Sequence, residues 1–99
     1  MNKSLVGTVE GDPDVRYTRT GDPVVKVILA TFESYRDKSG ECQDRIRTYT
    51  VVFSKHLAET AAERLRPGSR VRIDCDLIPG TRTGTASDVV LMDESEQAS

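Results

Sequence analysis

The chain has no tryptophan, a single histidine, two cysteines and only six leucines in 99 residues. Each shortage excludes something. Cys42 and Cys75 are too few for a disulfide scaffold, and with His56 they cannot build a Cys/His zinc cluster, so no metal and no cofactor is expected. In a reducing compartment both are expected as free thiols. His56 has no Ser or Cys at a recognisable spacing and the carboxylates form no acid/base pair, so no catalytic role is expected. No apolar run approaches the roughly 18 residues that span a membrane. The N-terminus Met1-Asn2-Lys3-Ser4-Leu5-Val6 turns polar at Gly7-Thr8 before a signal-peptide core could form, so a cytoplasmic protein is expected. Six leucines and no tryptophan are few for a helical bundle.

What is present is β-branched. Eleven Val, four Ile and ten Thr have stiff side chains that suit a pleated surface better than a helix. The net charge of −2 hides a polarised chain. Seven basic residues against two acidic ones lie between Arg45 and Arg72, whereas Asp88, Asp93, Glu94 and Glu96 close the chain without a base. A basic centre beside an acidic tail raises nucleic acid as a partner without establishing it.

The length fits one domain. Leu5 to Val9 is a short strand-type run, halted by the turn formers of Glu10-Gly11-Asp12-Pro13-Asp14. Val15 to Thr18 alternates as a continuation would, and Thr20 to Pro23 is the next turn. Val24 to Thr31 is the strongest strand, with Val25, Val27 and Leu29 on one face. Glu33 to Asp44 is polar and reads as a loop, and Ile46 to Phe53 is a third strand. Ser54 can cap a helix from Lys55 to Leu65 that buries Leu57, Ala61 and Leu65 and stops at Pro67-Gly68. Ser69 to Ile78 alternates with Val71, Ile73, Cys75 and Leu77 on one face. After a Thr/Gly-rich connection, Asp88 to Met92 is the last strand. Three strands, one helix and two strands is the order of an all-β OB-fold, a five-stranded Greek-key barrel with one α-helix between strands 3 and 4. Residues 1–92 are expected to form this domain, and residues 93–99 a short, disordered acidic tail.

Particular residues narrow this further. Val6-Gly7, then Gly11-Asp12-Pro13-Asp14-Val15-Arg16-Tyr17-Thr18, resembles the opening of bacterial single-stranded DNA-binding proteins. Leu29-Ala30-Thr31 with Glu33-Ser34-Tyr35-Arg36-Asp37-Lys38 is similar to the family's second strand and following loop. Val51-Val52 with Leu57-Ala58-Glu59, and Val71 to Leu77, continue the match in order. The resemblance implies a non-catalytic barrel that binds single-stranded DNA during replication, recombination and repair. It also implies a homotetramer, with a dimer as the alternative, associated with the nucleoid.

The departures are as specific. Tyr35 stands where the family places its first stacking Trp. At the second stacking position the ungapped match gives Thr48, with Tyr49 one residue off. Since an offset of one on a strand reverses the face, Tyr49 is expected in the barrel or a subunit contact. The third aromatic, just before the family's Gly-Lys-Leu, is Ser54 here, with Phe53 one off. The family's long basic arm is replaced by Ile78 to Ser87, and the acidic tip that recruits replication and repair proteins is missing. The expected DNA site is therefore Tyr35 as base platform, Lys26, Arg36, Arg45, Arg47, Arg72 and Arg82 on phosphates, and Thr48 and Thr50 as polar contacts. The expected subunit contact is Leu5, Val6, Thr8 and Tyr49, along an N-terminal strand with no Pro and no internal charge to discourage pairing. The alternative is an accessory similar to primosomal replication protein N, a short-armed OB-fold acting mainly through protein contacts with weak DNA binding.

Overall fold

In a computed structural model, which describes residues 2–92, strand β2 (Pro23–Arg36) buries Val25, Val27, Leu29 and Thr31 and turns Lys26 and Ile28 outward. This is the period-two pattern of a sheet with one covered face. Strand β1 (Asn2–Tyr17) precedes it. Strand β3 (Cys42–Ser54), helix α1 (Lys55–Arg64), β4 (Arg70–Leu77) and β5 (Thr83–Leu91) follow. The strands close into a barrel in the order β1-β2-β3-β5-β4. Every ladder is antiparallel except the short parallel pairing of β3 with β5, from Thr50↔Thr83 to Val52↔Thr85. This is the expected OB-fold. The tail from Asp93 onward, expected to be disordered, lies outside the described residues.

The interior is filled from alternate positions of the strands. Leu29, Val51, Phe53, Val71, Ile73 and Cys75 are all essentially inaccessible, and each large aliphatic or aromatic side chain so buried stabilises the fold by roughly 1.5–3 kcal/mol. Thr31 is the one polar residue in this buried set among the described residues, and its hydroxyl donates to the Arg47 carbonyl oxygen at 3.1 Å. Burial and the neighbouring carboxylates of Asp74 and Asp76 push the Cys75 thiol above its ordinary pKa, which keeps it protonated. Cys42 is exposed, and neither cysteine is bridged.

Strand β1 belongs to two ladders. Asn2 to Thr8 pairs with β4, and the ladder to β2 begins at Gly7. Gly7 and Thr8 therefore lie between two neighbours. A Cβ at Gly7 would land on the carbonyl oxygen of Ala30, so only glycine permits the crossing. Past that point the expected turn at Glu10 to Asp14 is a bulge. Gly11 takes φ 69°, the register shifts, and the strand runs on to Tyr17.

Helix α1 packs against the barrel with Ala58, Ala61 and then Leu65 buried, while Leu57, expected on that buried face, is half-buried. Ser54 occupies the N-cap position, but its side chain makes no capping hydrogen bond. Lys55 instead takes a left-handed φ of 55°, a conformation that costs a non-glycine residue roughly 1–2 kcal/mol. Beyond the helix, Gly68 N–H donates to Val9 O at 2.8 Å and Val9 N–H to Ser69 O at 2.9 Å, pinning the helix exit to β1.

Candidate nucleic-acid interface

The segment expected as a polar loop is the far half of a long hairpin. Strands β2 and β3 stay paired from Val24↔Ser54 out to Arg36↔Cys42, so that only a short turn remains at Asp37 to Gly40. The turn is built on Asp37. Its Oδ1 accepts from the Ser39 hydroxyl at 2.7 Å, the Ser39 N–H at 2.9 Å and the Glu41 N–H at 3.0 Å. The Ser39 hydroxyl, then the Glu41 N–H, hold this carboxyl below its ordinary range. Arg36 is tied to the same turn through Nη1 to Gly40 O at 3.1 Å.

The period of two decides which side chains meet on the hairpin. Glu33 and Tyr35 continue the inward set of β2, and Arg45 and Arg47 continue the inward set of Tyr49, Val51 and Phe53. Past the end of the barrel this inward face opens to solvent. The Arg45 guanidinium lies 4.7 Å from the centroid of the half-exposed Tyr35 ring, a cation–π distance. Arg47 Nε is 3.0 Å from Glu33 Oε2, and Arg45 Nη2 is 3.5 Å from the same oxygen.

At the free edge of β3, next to Arg47, the short β4–β5 connection folds back. Arg82 O accepts from Thr50 N–H at 2.9 Å, and Arg82 Nε donates to Thr48 O at 3.1 Å. Between the two segments lies an open cleft of about 570 Å³, lined by Arg47, Thr48 and Thr50 on one side and Gly80 to Thr83 on the other. The connection is too short to be an arm, but it delivers one guanidinium to the edge of the hairpin.

Tyr35, Arg45 and Arg47 share the inward face of the hairpin and Arg82 adjoins them at the cleft beside Arg47, whereas Thr48 and Thr50 turn to the opposite face and meet the site only along that cleft. Three do not join them. Lys26 is nine residues from Tyr35 along an extended strand, about 30 Å, and faces outward. Arg36 points to the opposite side of the hairpin from Tyr35. Arg72 sits on β4 opposite Val6 and Val90, and β4 does not neighbour β3. The residues expected at a subunit contact divide between core and surface. Leu5 and Tyr49 are each only 4% exposed and belong to the core, while Val6 remains accessible and Thr8 half-buried. Tyr49 Oη donates to Glu33 Oε1 at 3.3 Å, and Phe53 is fully buried, so both off-register aromatics face inward.

The outward side of the hairpin carries an apolar pair that no sequence motif marks. Phe32 and Ile46 face each other across the outward side of the hairpin and are 79% and 62% exposed. Carrying the alternation of β2 one residue past Thr31 would have placed Phe32 outward.

A closed five-stranded barrel with one helix between β3 and β4 defines the OB-fold class. The sequence profile of the Single-strand binding protein family matches residues 1–85, and the chain belongs to that family. A single-stranded DNA-binding protein of Xanthomonas campestris pv. campestris is 40% identical over 80 residues, covering 81% of this chain and 46% of its own length. The chain thus spans less than half of that relative. Among solved structures, the barrel is similar to a deletion mutant of the single-stranded DNA-binding protein of Thermus aquaticus, with a TM-score of 0.79 and 21% identity over 92% of this chain and 49% of the other. It is also similar to the PriB protein of Ralstonia solanacearum, with a TM-score of 0.72 and 17% identity over 91% of this chain and 95% of the other. At these identities the two likenesses concern the fold. Among the described residues, no helix is long and apolar enough to cross a membrane, and no group of His, Cys, Asp and Glu could hold a metal ion.

Proposed function

We propose that this chain binds single-stranded DNA without sequence preference and without catalysis, using the open end of the β2–β3 hairpin. The observation that carries the proposal is the Tyr35 ring beside the Arg45 guanidinium, with Arg47 linked to Arg45 through Glu33 and lining the cleft that Arg82 and Thr48 also line. Every base has a π-face, so one aromatic plate serves any sequence, at roughly 1–3 kcal/mol per stacked base. Neighbouring guanidiniums neutralise the phosphates that flank such a base.

The test is a titration of oligo-dT at increasing salt, with duplex DNA in parallel. Three phosphate contacts, from Arg45, Arg47 and Arg82, would give a slope of log affinity against log salt near −2, at about −0.7 per phosphate. Duplex should bind more weakly. Salt-independent affinity would refute the phosphate contacts, and no binding at low salt would refute the proposal. The latter outcome would favour an accessory of the PriB kind, a reading supported by the short β4–β5 connection and by the exposed Phe32–Ile46 pair.

The working form in this proposal is a homo-oligomer. Strand β1 pairs with β4 over Asn2 to Val6 but meets β2 only from Gly7, so its other edge is open there, beside the accessible Val6. An open edge without Pro or bulge is a template for a second copy, and the outward Phe32 and Ile46 offer a face for packing two dimers into a tetramer. Light scattering should give two or four chains per particle, and a monomer at micromolar concentration would refute the assembly.

A further inference from the structure

One carboxylate lies at the centre of the basic hairpin face. Glu33 Oε2 contacts Arg47 Nε at 3.0 Å and Arg45 Nη2 at 3.5 Å, while Glu33 Oε1 accepts from Tyr49 Oη at 3.3 Å. Tyr49 is buried in the barrel, so the carboxylate is fixed from below while its arginines are held beside it. The two guanidiniums that would receive phosphate are therefore already paired with an internal anion. Arg45 is placed over the Tyr35 ring by the same pairing.

We propose that Glu33 is an internal competitor of the DNA phosphates: it occupies the anion seat between Arg45 and Arg47 in the free protein, and a bound strand must displace it. This rests on the DNA-binding proposal above and adds the residue that limits affinity and salt response. A strand that displaces Glu33 leaves a carboxylate that must gather a cation from solution. Part of the counterion release that drives binding is thereby cancelled. The partly exposed setting keeps each ion pair modest, so the competition should tune binding and not abolish it.

The test is Glu33→Gln, which keeps the shape and an oxygen for Tyr49 but removes the charge. Asp44→Asn serves as the control, because it removes the same charge from the outward side of the same hairpin, where Asp44 accepts from Ser34 Oγ at 2.7 Å. E33Q should bind oligo-dT about three- to tenfold more tightly than wild type, with a salt slope steeper by about 0.7. D44N should change affinity less than twofold, and both variants should melt close to wild type. E33Q binding as wild type does, or more weakly, would overturn the competitor role while leaving the DNA site standing. Equal gains in E33Q and D44N would overturn it too, since the effect would then come from net charge. If neither wild type nor E33Q binds oligo-dT, the DNA-binding proposal and the competitor role fall together.

Discussion

Phe53→Ala should cost about 3–5 kcal/mol of stability, the range for truncating a fully buried aromatic and leaving a cavity. Phe53 is inaccessible to solvent near the end of β3, opposite Val25 and just before the helix begins. Small domains have total stabilities of roughly 5–15 kcal/mol, so the variant should melt more than about ten degrees lower. The fraction that remains folded should bind DNA as wild type does, because no atom of the ring reaches the hairpin face. Thermal unfolding followed by circular dichroism reads the first effect, and a titration corrected for folded protein reads the second. Unchanged stability with lost binding would place Phe53 on the DNA surface and shift the register of β3.

Tyr35→Ala should behave in the opposite way. Its ring is 41% exposed near the open end of the hairpin, so truncation removes little core. The contact with the Arg45 guanidinium contributes about 0.5–1 kcal/mol at an exposed site, which leaves the melting temperature nearly unchanged. If the ring stacks one base, affinity for oligo-dT should fall by roughly 1–3 kcal/mol, or about 5- to 150-fold. No other single aromatic substitution should lose as much affinity for the folded protein. If Tyr35→Ala unfolds the domain while the surviving fraction binds normally, the residue is structural and the base platform lies elsewhere.

The two variants separate because of a one-residue offset that strand periodicity makes decisive. Tyr49 and Phe53 lie one position from the family's second and third stacking sites, and the structure turns both inward. The faces of β2 and β4 were legible for the same reason: Val25, Val27 and Leu29, and Val71, Ile73 and Cys75, have apolar side chains at every second position. The outer hairpin was not, because both its faces are solvated and no apolar alternation marks it. Its strands are continued by cross-strand pairs such as Glu33↔Arg45 and Ser34↔Asp44, and such pairs emerge only once the register is known. The start of β5 carries no apolar alternation either. Thr83 to Ala86 is built of small residues, and a Cβ at Gly84 would come within 2.7 Å of the Asp76 carbonyl oxygen, so close approach replaces side-chain pattern there. The same dependence on register hid Glu33 at the centre of the basic face and the separation of Lys26 and Arg72 from it.

In the proposed complex Tyr35 carries a base at the open end of the hairpin. The most direct measurement follows the Tyr35 ring protons by NMR while oligo-dT is added. Stacking predicts saturable upfield shifts of these protons, with perturbed amides at Arg45, Arg47, Thr48 and Arg82 and with Arg72 and helix α1 unmoved. Saturated binding that leaves the Tyr35 ring protons in place, with shifts concentrated on β4 or on Phe32 and Ile46, would contradict it.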